Sequence, residues 1–508
     1  MKPSEKLAQS LEVLHNLLKQ GKYAIQSKEI SRTHRERLVE NAFLEEVVKG
    51  WYVPIKPDEQ KGESTAWYAS FWNFCASYLN ERFGDEWCLS PEQSLLLHSE
   101  NWTVPKQLMI RSPNGINRNM ELPHNTSLFT VQYKMPAAQD IEIKQEMRVY
   151  AIVPAIIYCS PKFFAQYPTE ARSVLSMFNS ASDLLHYLLD EGHSWIAGRI
   201  CGALQNIGKH HIAEEIKKTM ESAGYQIREE DPFLTNTPID FSATFKPAYR
   251  SRLEVMWHEM RDTVRENFPT PSLKSLDIKH YLEQVDENYI SDAYHSLSIE
   301  GYQVSPDLIE KVRSGQWNPD ATEQDRNHRS ALAARGYWQA FQSVKKSLIE
   351  ILNGENPGKI IQKEHGDWYR ELFQPSVAVG LLKPTDLAGY RRSPVFIRQS
   401  KHIPPRWQIV SELMEEFFQL ITQEQDPAVR VVLGHFFFVY IHPYSDGNGR
   451  IGRFLMNGML ACGHFPWTII PVERRNEYME ALEQASVNQN IIPFTKFIAS
   501  CIQGISFR

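Results

Sequence analysis

The sequence predicts a mainly α-helical protein, with an all-helical C-terminal core preceded by an α+β N-terminal region. Three observations carry that expectation. From Arg250 onward apolar residues recur at helical spacing, interrupted near Pro269–Pro271, Pro319, Gly354–Pro357 and Pro375–Arg398. Before that point, strand-like runs at Gln107–Ile110, Ser127–Tyr133 and Val149–Ile157 precede a helical stretch from about Ala171 to Ser222. A chain of 508 residues is also too long for one core, so two to four domains are expected.

Composition narrows the class. With 42% hydrophobic and 23% charged residues the chain reads as ordinary and globular. A net charge of −6 gives no general pull toward nucleic acid or membrane. The N-terminus lacks the apolar run of a signal peptide. The longest apolar run, Phe436–Ile441, falls far short of the roughly 20 residues of a membrane span. Six cysteines without CxxC pairing argue against a zinc site or disulfide framework and suit a reducing cytoplasm, so a cytoplasmic location is expected.

Along the chain, residues 1–55 read as a small helical unit closed by a hairpin. Leu7, Leu11, Leu14 and Leu18 share a helix face, Ser31–Glu40 is a further helix, and residues 41–53 offer two short strands around a basic turn. This order resembles the winged-helix unit of AbiEi-type antitoxins. Nine Lys/Arg against seven Glu give only a small basic surplus, so a DNA-binding winged helix and a protein-contact module are both open. Residues 56–230 read as an α+β domain without catalytic spacing; His210 and His211 lack the neighbours of a metal site. The three prolines and turn formers between Arg228 and Pro247 read as a linker, placed at 231–249. The helical domain then covers 250–508.

Its chemistry concentrates in the twelve residues from His442 to Arg453. Val429–Ile441 is apolar enough for a buried helix, and Pro443 stops it. His442 therefore sits at a helix end, where an imidazole suits general-base work. Gly447-Asn448-Gly449 can turn successive N–H groups into one concavity at the start of the next helix, an anion cradle. Asp446 offers a hard oxygen ligand for Mg²⁺ shared with phosphates. Arg450 and Arg453, three apart on the new helix, can both reach those phosphates. Each residue alone has a plainer use as a cap, a turn or a solvated face; their coincidence points to nucleotide phosphate transfer.

The segment resembles the signature of Fic (filamentation induced by cAMP) proteins, His-x-Phe-x-(Asp/Glu)-Gly-Asn-Gly-Arg-x-x-Arg. It matches at every position but one, where Tyr444 replaces phenylalanine and keeps an anchoring ring. The resemblance implies a helical Fic core with a β-hairpin flap, and an enzyme that transfers AMP from ATP to a Ser, Thr or Tyr hydroxyl of a target protein. On this chain it makes His442 the catalytic base, Asp446 the Mg²⁺ ligand, and Gly447, Asn448, Gly449, Arg450 and Arg453 the phosphate-binding set. Gly389–Arg398 with Ile403-Pro404-Pro405 resembles the flap, which aligns the target by strand addition and sets Val395, Phe396 and Ile397 beside the nucleotide. Tyr478 stands where relatives stack a tyrosine on the base, and Ser486 where an asparagine often sits.

Ser296–Gly301 matches the family's inhibitory pattern (Ser/Thr)-x-x-x-Glu-(Gly/Asn), near 290–301 and N-terminal to the core. A glutamate ending helix Asp292–Glu300 could pair with Arg453 and withhold it from the γ-phosphate. Ser296, Glu300 and Gly301 are thus the expected brake. In some relatives this glutamate supports removal of AMP, and self-modification is also open. Two other readings stand beside this one: a Fic relative moving another phosphate-linked group, which intact Gly447-Asn448-Gly449-Arg450 disfavours, and a DNA-binding or antitoxin-like regulator with accessory Fic activity.

Overall fold

The computed structural model describes residues 3–55, 63–190, 192–235, 240–241, 246–269, 277–317 and 325–503. The chain divides into two compact units, one comprising Met1–Arg252 with Phe396–Ile403, the other Leu253–Val395 with Pro404–Arg508. Among the described residues there are twenty α-helices and nine short strands, so the protein is mainly α as expected. None of these helices is long and apolar enough to cross a membrane. All six cysteines are unpaired.

In the first unit, helix Pro3–Lys19, β1 (Ile25–Gln26), helix Arg32–Glu40, β2 (Leu44–Val48) and β3 (Trp51–Pro54) follow in order. The strands form an antiparallel sheet ordered β1-β3-β2 over a core of Leu14, Ile25, Ile30, Leu38, Leu44 and Tyr52. Ser31 caps the second helix by accepting from His34 N–H. The arginines of that helix all donate within the unit. Arg32 meets Glu36 at 2.7 Å, Arg35 donates to Ser27 O at 3.2 Å, and Arg37 donates to Lys6 O at 2.8 Å.

An aromatic core around Trp67, Phe71, Phe74 and Trp87 then supports a second sheet. It contains β4 (Cys88–Leu89), β5 (Gln107–Ser112), β6 (Arg118–Leu122) and β7 (Thr126–Gln132), ordered β4-β5-β7-β6, with β5 and β7 parallel. A hairpin of β8 (Ile141–Lys144) and β9 (Met147–Tyr150) follows. The strand expected over Val149–Ile157 ends at Tyr150, and Ile152–Tyr158 is helical. Its apolar run is buried as a short helix, and such a run carries no period to tell helix from strand.

The expected linker is likewise corrected over its described part. Glu230 N–H donates to Gly198 O at 3.2 Å, Phe241 N–H to Ile207 O at 3.0 Å, and Phe233 and Phe241 are buried. The buried Arg172 donates to Thr235 O at 2.5 Å and lies over the Phe233 ring. The segment is a strap packed on helix Ser194–Asn206. Residues 236–239 and 242–245 lie outside the described residues. Phe396–Ile403 also belongs to this unit. Arg398 meets Glu63 through two contacts of 2.5 and 3.0 Å, Gln399 N–H donates to Thr65 Oγ1 at 2.9 Å, and Val104 N–H donates to Lys401 O at 3.0 Å.

Among its described residues the second unit contains helices and loops and no strand. Helices Asp325–Leu352 and Pro357–Ala378 pack against Asn448–Cys462, which pairs with Pro427–Ile441. Asp426 caps Pro427–Ile441 by accepting from Ala428 and Val429 N–H, with proline at its first turn. Helix Pro357–Ala378 carries Pro375 inside its last turn rather than stopping there.

Gly202 allows the strap its close approach, since a Cβ there would lie 2.2 Å from Glu230 O. In an open helix Gly→Ala gains about 1 kcal/mol. Here Gly202→Ala is expected to lose roughly 1–3 kcal/mol through overpacking, read as a lower denaturant midpoint with unchanged slope.

Candidate active site

The site grows from the turn between helices Pro427–Ile441 and Asn448–Cys462. His442 closes the first helix in a left-handed conformation, φ 54°, with its N–H on Phe438 O at 3.0 Å. Its Nδ1 lies 3.1 Å from Val439 O. A carbonyl can only accept, so Nδ1 carries the proton and Nε2 keeps a free lone pair. Burial pushes the imidazole pKa down to about 4; the Val439 carbonyl and the charges of Glu300 and Asp446 pull the other way. The ring is therefore neutral at physiological pH, the form that can accept a proton.

The loop after it is held rigid by Asn448. Its Oδ1 accepts from Tyr444 N–H at 2.9 Å and its Nδ2 donates to Tyr444 O at 2.8 Å. The Asn448 amide is thus spent on the loop, and only its backbone is left for the cradle. The buried Tyr444 ring stacks on Tyr369, centroids 3.9 Å apart and 6° from parallel, so the tyrosine does serve as an anchor. Gly447, at φ 80°, turns the chain into the next helix, whose N-terminus faces the cavity. Asp446 is well exposed, with Oδ1 accepting from Gly447 N–H at 2.6 Å. Arg450 is buried, its guanidinium between the rings of Tyr302 (5.3 Å) and Phe373 (4.9 Å) and 3.4 Å from Asp446.

Glu300 lies on top of this cradle. Helix Ile278–Ile299 ends in a Schellman closure, with Tyr302 N–H on Leu297 O at 3.1 Å and Gly301 N–H on Ser298 O at 3.0 Å. Gly301 takes the left-handed position, φ 86°. The Glu300 carboxylate accepts from Arg453 at 2.7 Å, and a Cβ on Gly449 would lie 2.3 Å from its Oε1. Ser296, one turn earlier, takes Arg453 Nε on its hydroxyl at 2.9 Å and a second nitrogen on its carbonyl at 3.0 Å. Burial, the largest single influence on Arg453, disfavours its charge, but Glu300 together with Tyr478 and Tyr337 outweighs it and the pKa is raised. Ser296, Glu300 and Arg453 therefore meet as the spacing predicts.

Other expectations fail. Gly389–Pro405 contains no strand. Arg391 donates instead to Ser393 O at 3.3 Å and to Pro405 O, bridging the two arms from inside, while prolines 394, 404 and 405 lack ladder donors. Phe396 and Ile397 lie in the first unit and Val395 in the second, and Phe396 is exposed. Tyr478 presents no face to a base: it is 1% exposed, 2.7 Å from His435 Nε2, and packed on Phe494 and Phe497. Ser486 is also buried.

Arg391 is the residue that sequence reasoning missed. Besides the flap arms it donates to His442 O at 2.8 Å, and its own N–H donates to Pro443 O at 2.9 Å. Burial lowers its pKa to about 10, leaving it charged at neutral pH. It ties the flap base to the catalytic turn. The only signal for it was its place in Tyr390-Arg391-Arg392, where nothing separates a buried arginine from an exposed one.

A helical domain built around such a loop is a Fic-type domain, and a family model described as Fic/DOC family matches residues 362–460. Protein adenylyltransferase Fic of Drosophila grimshawi is 30% identical over 221 residues, 43% of this chain and 42% of that protein. Protein adenylyltransferase Fic of Nematostella vectensis is 29% identical over 283 residues, 53% of this chain and 60% of that protein. The chain thus spans about half the length of these relatives. Among solved structures, Fic-1 (aa134–508) from C. elegans is 18% identical with a TM-score of 0.38, covering 70% of this chain and 88% of that one, too weak a likeness to bear on the fold.

Asp292 lies two turns before Glu300, buried, and accepts from Tyr337 OH at 2.7 Å. Burial raises its pKa from 3.8 to about 6, against the pull of Tyr337, Trp467 and Arg453. A raised folded-state pKa stabilises below pH 3.8, and that contribution is lost as pH rises through 6. Asp292→Asn, which keeps an acceptor for Tyr337, should match the native protein in thermal melts near pH 3.8 and melt progressively higher up to pH 6.

Proposed function

We propose that the chain is an autoinhibited protein adenylyltransferase, transferring AMP from ATP to a hydroxyl of a target protein. The observation that carries the reading is a free, neutral His442 Nε2 beside a phosphate cradle that the Glu300–Arg453 pair closes. The name of the curated relatives, Protein adenylyltransferase Fic, supports the same chemistry.

In this reading His442 Nε2 takes the proton of the incoming hydroxyl as its oxygen attacks the α-phosphorus. The α–β anhydride bond breaks, AMP stays on the target oxygen, and pyrophosphate leaves. N–H groups at the start of helix Asn448–Cys462 and the Arg450 guanidinium offset the phosphate charge. Asp446, exposed at the cavity, fits Mg²⁺, an ion usually held by one or two carboxylates together with substrate phosphates. The bound ion would supply charge neutralisation. Positioning rests on the chain itself: Asn448 holds the loop, Tyr369 holds Tyr444, and Arg391 holds the turn.

Glu300 sets the brake by putting a carboxylate where a phosphate belongs and by engaging Arg453. The pair is part-buried, with the Glu300 side chain 26% exposed, and Ser296 holds the arginine against it. The same carboxylate could orient water for hydrolysis of AMP-modified target, and self-modification and a cytoplasmic site of action belong to the proposal. DNA binding by residues 1–55 is not favoured, since the arginines of helix Arg32–Glu40 donate inside the unit.

With α-labelled ATP and Mg²⁺ the native chain should label weakly. Glu300→Gly should raise labelling by at least tenfold and His442→Ala should abolish it, the scale of a lost general base being about 10²–10⁴. Equal labelling with and without Glu300 defeats the brake; label arriving from the γ-phosphate defeats AMP transfer. Because His442 titrates near 4, kcat/KM of the Glu300→Gly protein should be level from pH 8 to about 5 and fall only below that; a decline centred on the ordinary 6.5 would contradict the burial argument.

A further inference from the structure

The phosphate loop borders two cavities, of about 330 and 430 Å³. Three residues line both: Tyr302, Arg329 and Asp446. Asp446 belongs to the loop and Tyr302 follows the brake. Arg329 stands outside every motif of the chain. It sits in the first described turn of helix Asp325–Leu352, is exposed, and makes no ion pair or hydrogen bond among the described residues. Its position relative to the brake is fixed by its neighbour: Gln303 N–H donates to the buried Ser330 Oγ at 3.2 Å, which pins the segment after Gly301 to this turn.

The other two guanidiniums at the loop are held in fixed places. Arg453 is bound to Glu300 and Ser296, and Arg450 is 1% exposed between two rings. Among the described residues the smaller cavity is lined by two carboxylates, Glu300 and Asp446, and by one cation, Arg329. A triphosphate entering while the brake is set therefore meets two like charges and a single opposite one. Opposite charge at this point is what makes entry affordable.

We propose that Arg329 is a third phosphate-binding cation, receiving the distal phosphates of a nucleoside triphosphate in the cavity between Glu300 and Asp446. The assignment rests on the nucleotide reading above. It gives the polyphosphate a foothold that does not depend on Arg453, so nucleotide can lodge before Glu300 lets go. It also discriminates by length: a monophosphate at the helix N-terminus has no distal phosphate to offer.

The test is titration calorimetry on the full chain carrying Glu300→Gly, with ATP and AMP in Mg²⁺. Adding Arg329→Ala should weaken ATP roughly five- to tenfold, the scale of one solvent-accessible charged hydrogen bond, and leave AMP within about twofold. Arg329→Lys should recover part of the loss, since a point charge still binds phosphate without the fork. Unchanged ATP affinity, or equal losses for ATP and AMP, would overturn the assignment. Failure of the Glu300→Gly parent to bind ATP would overturn the nucleotide reading and the assignment with it. That failure is visible before Arg329 is altered, so the two are told apart.

Discussion

A guanidinium buried as deeply as Arg453 must find acceptors, because an uncompensated charge in the interior costs several kcal/mol. Ser296 supplies two and Glu300 the third, all from one helix, so a single demand for pairing joins helix Ile278–Ile299 to helix Asn448–Cys462. Further polar groups stand behind it. Tyr337 bonds Asp292 on the same face as Ser296, and His435 holds Gly452 O with one nitrogen and Tyr478 OH with the other. Arg453 therefore keeps its orientation from Ser296 even when Glu300 leaves. What the departure frees is one edge of the guanidinium, facing the cradle.

The turn that carries the chemistry is ordered by side chains that do no chemistry. Asn448 clasps Tyr444 at both backbone groups, Tyr369 stacks on its ring, and Arg391 reaches the carbonyls on either side of the junction at His442. With His442 in a left-handed conformation that costs energy for any residue but glycine, these contacts hold the strained turn. A base kept in one orientation with one tautomer loses little to reorganisation when a proton arrives.

Much of this was legible in the residues themselves. Helical period, a capping aspartate and Pro443 marked helices Pro427–Ile441 and Asn448–Cys462, and the spacing of Ser296, Glu300 and Gly301 marked the helix end that meets Arg453, because both are local patterns. Three of the misreadings come from contacts that composition does not reveal. The segment after Arg228 has the composition of a linker, yet glycines in a helix thirty residues earlier admit it to the core. The flap has the composition of a hairpin, yet one buried arginine takes its carbonyls. Tyr478 sits at a suggestive position, yet His435 draws it inward. Arg391 and Arg329 are both plain arginines on the page, and burial alone separates the clamp from the open cation.

The Schellman closure at Gly301 ends the inhibitory helix in its own hydrogen bonds, without any help from the Glu300 carboxylate. In the proposed reading, freeing Arg453 from Glu300 thus needs a rotamer change at Glu300 and no melting of helix. Under that proposal Glu300 acts as a tethered ligand at a fixed effective concentration, competing with phosphate for one site. A competitor of that kind sets a threshold: the fraction of open sites follows the ratio of nucleotide concentration to tether strength. Under the same proposal, a pull on the segment from Gly301 to Gln303 would shift that threshold and leave the chemistry of the loop untouched.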